Sequence, residues 1–464
     1  MEQTPKKELT LFDSTCLIVG IIIGVGIYET APDIARSVQN WWGVPLLWIA
    51  GGLLSLAGAL CYAELATAYP QAGGDFVYLS RAYGRWAGFL FGWIQLVIVR
   101  PGDIALMAFI FARYARQLYD PLAGAEGWYA HAMYLVYACA AVVVLTLINL
   151  AGVRQGKWTQ NILTVVKTIG LAAIIVVGLV APAGPPQQKV ESALWIPPLS
   201  VAMILVLFTY GGWNEMAFVA AEVKDPKRNI LRALILGTVG VMVLYLLANA
   251  SFLHSLGHEG MGASRAVGVD TIRGLFGKYG SRLFAVLICL SALGAVNGLI
   301  FAGSRISYAV GTEHRLFRIL GRWHGRRGSP VWALLLQGVI AFAVIMAFKS
   351  FQRTIIYIAA AVYLFYLATS ISVIVLRYKE PQVQRPFKVT GYPFTPIIFA
   401  GVCGFLIYST LTYEPEGVGV KAREVAISVG ILLAGVVAYG LTKIYDVWKA
   451  RADARQSEKR NSRL

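Results

Sequence analysis

Two glycine-centred stretches, one lysine and a handful of other charges are the residues of this 464-residue chain whose types and spacing could do chemistry. Ile23-Gly24-Val25-Gly26-Ile27 and Thr209-Tyr210-Gly211-Gly212-Trp213 each place two glycines in the middle of an apolar run. Glycine costs about 1 kcal/mol in a helix interior, so a helix can come apart at these points. An interrupted helix frees amide N–H groups at the start of one half and carbonyls at the end of the other, and the half-helix dipoles reinforce both. The N–H groups of Val25, Gly26 and Ile27 would hold a carboxylate, and carbonyls near Ile22, Phe208 and Gly211 would hold an ammonium. A zwitterionic α-amino acid presents both groups. The alternative is that the glycines are small-residue contacts that let helices pack closely.

Lys167 lies inside an apolar stretch, where a lysine costs about 2.5 kcal/mol or more to insert and is a functional candidate by default. The alternative is a side chain that reaches out to the membrane surface. Arg100 and Asp103 are three residues apart on one helix face, a spacing that suits mutual neutralisation as well as substrate contact. Glu64 and Glu222 lie beside basic loops, where an inner gate or a structural salt bridge is favoured over a proton relay. Trp213 and Asn214 could line a side-chain pocket, with helix packing as the alternative for Trp213. The five cysteines fall in apolar runs and the five histidines in loops or at run ends, so neither a disulfide framework nor a metal or haem site is expected, and no cofactor.

The elements that must position these residues follow from composition. With 57% apolar and only 14% charged residues, the chain has far less charge than the roughly 25% of a soluble domain. The apolar residues form stretches long enough to cross a ~30 Å hydrocarbon core. Twelve spans are predicted, over 11–38, 44–69, 86–117, 131–150, 158–181, 199–222, 230–254, 283–310, 331–348, 354–376, 392–413 and 425–445. The first run is too long for a signal peptide and no cleavage site follows it. With the amino terminus inside, 27 of the 41 basic residues fall on the cytoplasmic side, so both termini are placed there. The net charge of +17 thus reports orientation rather than a nucleic-acid partner. The glycine pairs sit in spans 1 and 6, corresponding positions of a five-plus-five repeat, the pattern that points to a transporter site between inverted repeats.

Ile22-Ile23-Gly24-Val25-Gly26-Ile27-Tyr28 resembles the IIGxGIF motif of the amino acid, polyamine and organocation (APC) transporter superfamily. Leu60-Cys61-Tyr62-Ala63-Glu64-Leu65 with Gly73-Gly74-Asp75, then Ile98-Val99-Arg100-Pro101, are similar to its L-type amino acid transporter branch. So are Phe208-Thr209-Tyr210-Gly211-Gly212-Trp213-Asn214, Gly294-Ala295-Val296-Asn297-Gly298 and Gln384-Arg385-Pro386-Phe387-Lys388-Val389. The resemblance implies an all-α integral membrane protein with the leucine-transporter fold. Twelve helices would include inverted repeats over about 11–181 and 199–376, discontinuous helices 1 and 6, helices 11 and 12 over about 391–446 and a basic tail over 447–464. It further implies a sodium-independent carrier working by alternating access. Val25 and Gly26 would bind the substrate carboxylate, the Ile22, Phe208 and Gly211 carbonyls its amine, and the Phe208 ring would be the outer gate. Val25 stands where the family usually has Ser, Thr or Ala, so a hydroxyl contact is lost. Ala221 precedes Glu222 where many relatives have two glutamates. Lys167 matches a span 5 lysine thought to occupy a sodium site and to tie span 1 to span 8.

The loop over 118–130 has no cysteine of the kind animal relatives use to bond a glycoprotein heavy chain, so a monomer without that partner is expected. A bacterial inner membrane is the simplest home, with the tail held near anionic lipid. The expected function is transport of neutral L-amino acids, by exchange or with a proton. Cationic amino acid or polyamine antiport and a non-transporting amino acid sensor are the alternatives. With no catalytic constellation inside the spans, an enzyme is not expected.

Overall fold

In a hydrocarbon layer each backbone N–H and C=O must find its partner within its own segment, and an α-helix meets that demand. The computed structural model is helical accordingly; it describes residues 5–122, 129–180, 196–264, 266–325, 327–348, 351–412, 429–446 and 448. Among the described residues the only strand-like pairings are single bridges, Leu9 with Val223 and His324 with Ser329. The amino-terminal half contains α1 (Leu11–Ile22), α2 (Gly26–Ser37), α3 (Gly43–Ala68), α4 (Asp75–Tyr83), α5 (Arg85–Ile94), α6 (Arg100–Leu118), α7 (Tyr129–Ala151) and α8 (Val153–Val180). There follow α9 (Leu199–Thr209), α10 (Glu215–Phe218), α11 (Pro226–Ala263), α12 (Val267–Phe276), α13 (Gly280–Glu313), α14 (Val331–Phe348), α15 (Phe351–Lys379) and α16 (Phe394–Thr412). A last helix, α17, runs over Val429–Asp446.

Among the described residues, eight helices are long and apolar enough to cross a membrane, nine when the bent α1 and α2 count as one, and the shorter apolar Leu199–Thr209, Val331–Ala347 and Phe394–Ser409 join them. Each predicted run falls on a helix or a broken helix, the last from residue 429 on. Two helices were not anticipated: α4 and α12 are short, lie between spans, and carry Asp75 and Asp270 in their first turns. The enclosed centre is formed by the segments Arg85–Leu118 and Gly280–Glu313, in which 78% and 72% of an apolar 18-residue stretch is buried, against 33% of such a stretch in Val153–Val180. Long helices around them leave an apolar side uncovered, as lipid-facing helices do.

The first break lies where the glycines lie. Ile23 makes the last α1 hydrogen bond, to Val19 O at 2.9 Å, and α2 starts at Gly26 after a 48° bend. The second break has a firmer cause. Gly212 adopts φ +115, the left-handed region, and a Cβ there would lie 2.6 Å from Ile21 Cγ2 of α1. Only glycine meets both conditions. A third interruption lies between α5 and α6, where Gln95–Val99 winds as a π-helix ahead of Pro101. Proline has no N–H for the helix ladder, and π-turns concentrate at functional sites.

Candidate substrate site

The two breaks meet. A cavity of about 140 Å³ lies between them, lined on one side by Ile22, Gly24 and Gly26 and on the other by Phe208, Gly211, Gly212, Asn214 and Glu215. Gly26 abuts the second break directly, because a Cβ there would come 3.0 Å from the Thr209 side chain. Thr209 Oγ1 lies 3.1 Å from Thr30 Oγ1 of α2, so hydroxyls as well as glycine join the broken helices. Of the residues selected from sequence, Ile22, Gly26, Phe208, Gly211 and Asn214 line the cavity, while Val25 and Ile27 are buried on either side of Gly26.

The carbonyls expected to receive an ammonium are partly engaged. Ile22 O accepts the Tyr245 hydroxyl at 2.7 Å, and Phe208 O accepts the Gly211 amide at 3.0 Å. A carbonyl has two lone pairs, so Ile22 O keeps one for a ligand, whereas Phe208 O also accepts from the Tyr210 amide and has both engaged. Tyr245 also reaches Thr209 O at 3.4 Å, which makes it a pin between the first and second breaks. Sequence reasoning missed it: a tyrosine within an apolar span carries no local signal.

Lys167 is 1% exposed, which excludes an outward-reaching side chain. Its ammonium donates to Gly20 O of α1 and, at 3.3 Å, to Ser291 O of α13, and Ser291 Oγ returns to Ile23 O at 3.1 Å. The lysine therefore joins α8, α1 and α13 beside the first break, with carbonyl oxygens around its charge of the kind that a small cation takes.

Arg100 does not form its ion pair with Asp103. Its Nη1 lies 2.7 Å from Glu215 Oε1, with both side chains 4% exposed, and its Nε donates to Gln95 Oε1 at 2.8 Å. The guanidinium also lies over the Phe218 ring, 5.1 Å from its centroid. This pair fastens α6 to α10, the short second half of the broken helix. Glu215 was overlooked in the sequence because its partner is distant along the chain. Asp103 lines the same cavity, as do Gln95 and Asp75.

Trp213 packs rather than lines: its ring lies 5.1 Å from Tyr62, 5.4 Å from Tyr366 and 5.8 Å from Phe399. Asn214 is held by Tyr366, whose hydroxyl donates to Oδ1 at 2.8 Å. Glu64 accepts two bonds from Arg377 at 2.8 and 2.6 Å and one from the Val389 amide at 2.7 Å. Glu222 accepts two from Arg305 at 2.7 and 3.0 Å, both side chains 1% exposed. Both glutamates thus have the structural salt-bridge geometry. Around Glu222, Leu9 N donates to Glu222 O at 2.8 Å and Lys224 N to Leu9 O at 2.8 Å, while Asp13 accepts from Asn161 at 2.6 Å and Lys157 at 3.3 Å.

Among the described residues no three His, Cys, Asp or Glu side chains are grouped for a metal, and the five cysteines are free. Part of the loop expected to lack a heavy-chain cysteine, 123–128, and the tail apart from residue 448 lie outside the described residues.

A family model described as amino acid permease matches residues 9–437. The chain is 30% identical over 450 residues to the b(0,+)-type amino acid transporter 1 of Mus musculus, covering 95% of this chain and 88% of that protein. It is 31% identical over 456 residues to the large neutral amino acids transporter small subunit 2 of Oryctolagus cuniculus, covering 94% and 80%. The human protein of that name gives 31% over 455 residues, with the same coverage.

Proposed function

The chain belongs to the amino acid permease family of the APC superfamily, in its L-type-like branch, and as a multi-pass membrane transporter of amino acids rather than an enzyme; from that premise we propose that it carries neutral L-amino acids without sodium, by alternating access. The observation that supports this reading is the meeting of the two broken helices around one cavity, with a lysine ammonium among the carbonyls beside the first break. The substrate carboxylate sits on the amides of Val25, Gly26 and Ile27. Its amine sits on the carbonyls of Ile22, Phe208 and Gly211, and the Phe208 ring closes the outer side. Lys167 stands in for a sodium ion and keeps α1 registered on α13.

On this reading the chain has twelve spans in a leucine-transporter fold, with repeats over about 11–181 and 199–376 and both termini cytoplasmic. It acts as a monomer in a bacterial inner membrane. The Glu222–Arg305 and Glu64–Arg377 pairs then close the cytoplasmic end. The mode is either exchange of one amino acid for another or import together with a proton.

A second reading, transport of cationic amino acids or polyamines, has one observation in its favour: Asp75, Asp103 and Glu215 line the cavity against Arg100 alone among basic residues. The purified chain in sodium-free liposomes tests both. Counterflow of labelled leucine or alanine is expected, with excess arginine or putrescine a weak competitor. Strong competition by those cations favours the second reading, and binding without flux a sensor.

A further inference from the structure

Burying a carboxylate without a counter-charge costs several kcal/mol, and the group is normally paired or neutralised. The chain follows that rule at its other buried acids. Asp13 has Lys157 at 3.3 Å, Glu64 has Arg377 at 2.6 Å, Glu215 has Arg100 at 2.7 Å and Glu222 has Arg305 at 2.7 Å. Asp75, 1% exposed, has no basic partner among the described residues. Its Oδ1 accepts the hydroxyls of Tyr62 and Thr369, and its Oδ2 has no hydrogen-bond partner among the described residues. Asp75 also lines the cavity.

The position of this side chain suits more than a structural role. Asp75 opens α4, and its two hydroxyl partners lie on α3 and α15, so three elements converge on one oxygen. Immediately before it, Gly73 N donates to Phe218 O at 3.1 Å, at the end of the broken helix's second half. A change at Asp75 therefore reaches the second break through one turn of backbone. The titratable groups that face it are Tyr62 on α3, Tyr78 on α4, Tyr366 on α15 and Glu215 on α10, whose charge is already met by Arg100.

We propose that Asp75 is the proton-carrying group of this transporter: its carboxylate takes one proton from the cavity with each amino acid bound and yields it on the opposite side. This rests on the reading of the chain as an alternating-access carrier. Protonation converts Asp75 from an acceptor of two hydroxyls to a neutral acid with an O–H to donate, which weakens the ties to α3 and α15 when the cavity is loaded. α4 lies outside the spans, and burial pushes its first carboxyl up to about 6, against the opposing pull of the Thr369 and Tyr62 hydroxyls. Such a group exchanges its proton across the physiological range.

The test uses the purified chain in liposomes with labelled alanine or leucine and the membrane potential clamped by potassium and valinomycin. The readout is uptake under an acid-outside gradient divided by uptake at symmetric pH. A gradient of about one pH unit can drive up to about tenfold accumulation at one proton per amino acid. The wild type is expected to show several-fold stimulation that a protonophore removes, Asp75→Asn a ratio of about one, and Asp75→Glu a restored ratio. A wild-type ratio retained in Asp75→Asn overturns the proposal. So does a wild-type ratio of one alongside brisk counterflow, which leaves the carrier reading standing; absence of wild-type counterflow overturns that reading too. If Asp75→Asn does not reach the membrane, Tyr62→Phe decides. Losing that hydroxyl should move the pH midpoint of uptake to higher pH, and an unmoved midpoint overturns the assignment.

Discussion

A lysine surrounded by carbonyl oxygens is a cation that the chain supplies for itself. Lys167 is covalently held where an ion would come and go, so on the proposed reading it keeps α1 linked to α13 and transport is predicted not to depend on sodium. Lys167→Ala is predicted to reduce counterflow more than about tenfold, since removing a buried charge-assisted hydrogen bond costs about 1.5–3 kcal/mol. Near-wild-type flux at equal expression would remove the role assigned to it. The glycines at the first break differ in what they tolerate. A Cβ on Gly24 meets only Ile22 O at 3.7 Å, whereas one on Gly26 meets Thr209 at 3.0 Å. Gly24→Ala should therefore fold normally, while Gly26→Leu should abolish binding by forcing α2 and α9 apart; an unchanged dissociation constant for Gly26→Leu would move the site elsewhere. Tyr245→Phe tests the pin between the breaks. The lost hydroxyl should weaken amino acid binding by about 0.5–1.5 kcal/mol, read by titration of the purified protein.

Broken helices can be recognised from sequence because a glycine pair in an apolar run is a local signal. Pairings across the bundle cannot. Arg100 and Asp103 invited a pairing because they are neighbours on one helix, yet tertiary packing gives the guanidinium to Glu215, at the first turn of α10. Asp75 likewise appeared only within a Gly-Gly-Asp string, and its isolation from basic partners became visible once α3, α4 and α15 were placed. The ion pair carries its own prediction. Breaking a buried pair by removing one partner costs about 3–5 kcal/mol, while replacing both by apolar groups of similar volume is near neutral. Arg100→Met alone should lower the thermal unfolding midpoint markedly in detergent, and adding Glu215→Met should recover most of the loss. If the double variant is as unstable as the single one, the pair is not what fastens α10 to α6.

Across the whole molecule, charge is distributed by position. The Glu222–Arg305, Glu64–Arg377 and Asp13–Lys157 pairs lie at the end that carries Leu9, and Glu64–Arg377 joins the two halves of the chain. In the middle, glycine and backbone groups lie beside the Arg100–Glu215 pair, Asp75 and Asp103, where an unpaired charge is costly and a polar ligand can be held by amides and carbonyls. If the basic residues set orientation, epitope tags at either terminus should be cut by protease only in inside-out vesicles; cleavage from the other face would reverse the assignment. The bonds between Leu9 and residues 222 and 224 have a practical consequence as well. The first described residues are stitched to the strip joining the second broken helix to α11, so on the alternating-access reading they are predicted to travel with it when that end opens. A fluorophore attached near Lys6 would therefore give an optical record of each opening without a label inside the bundle.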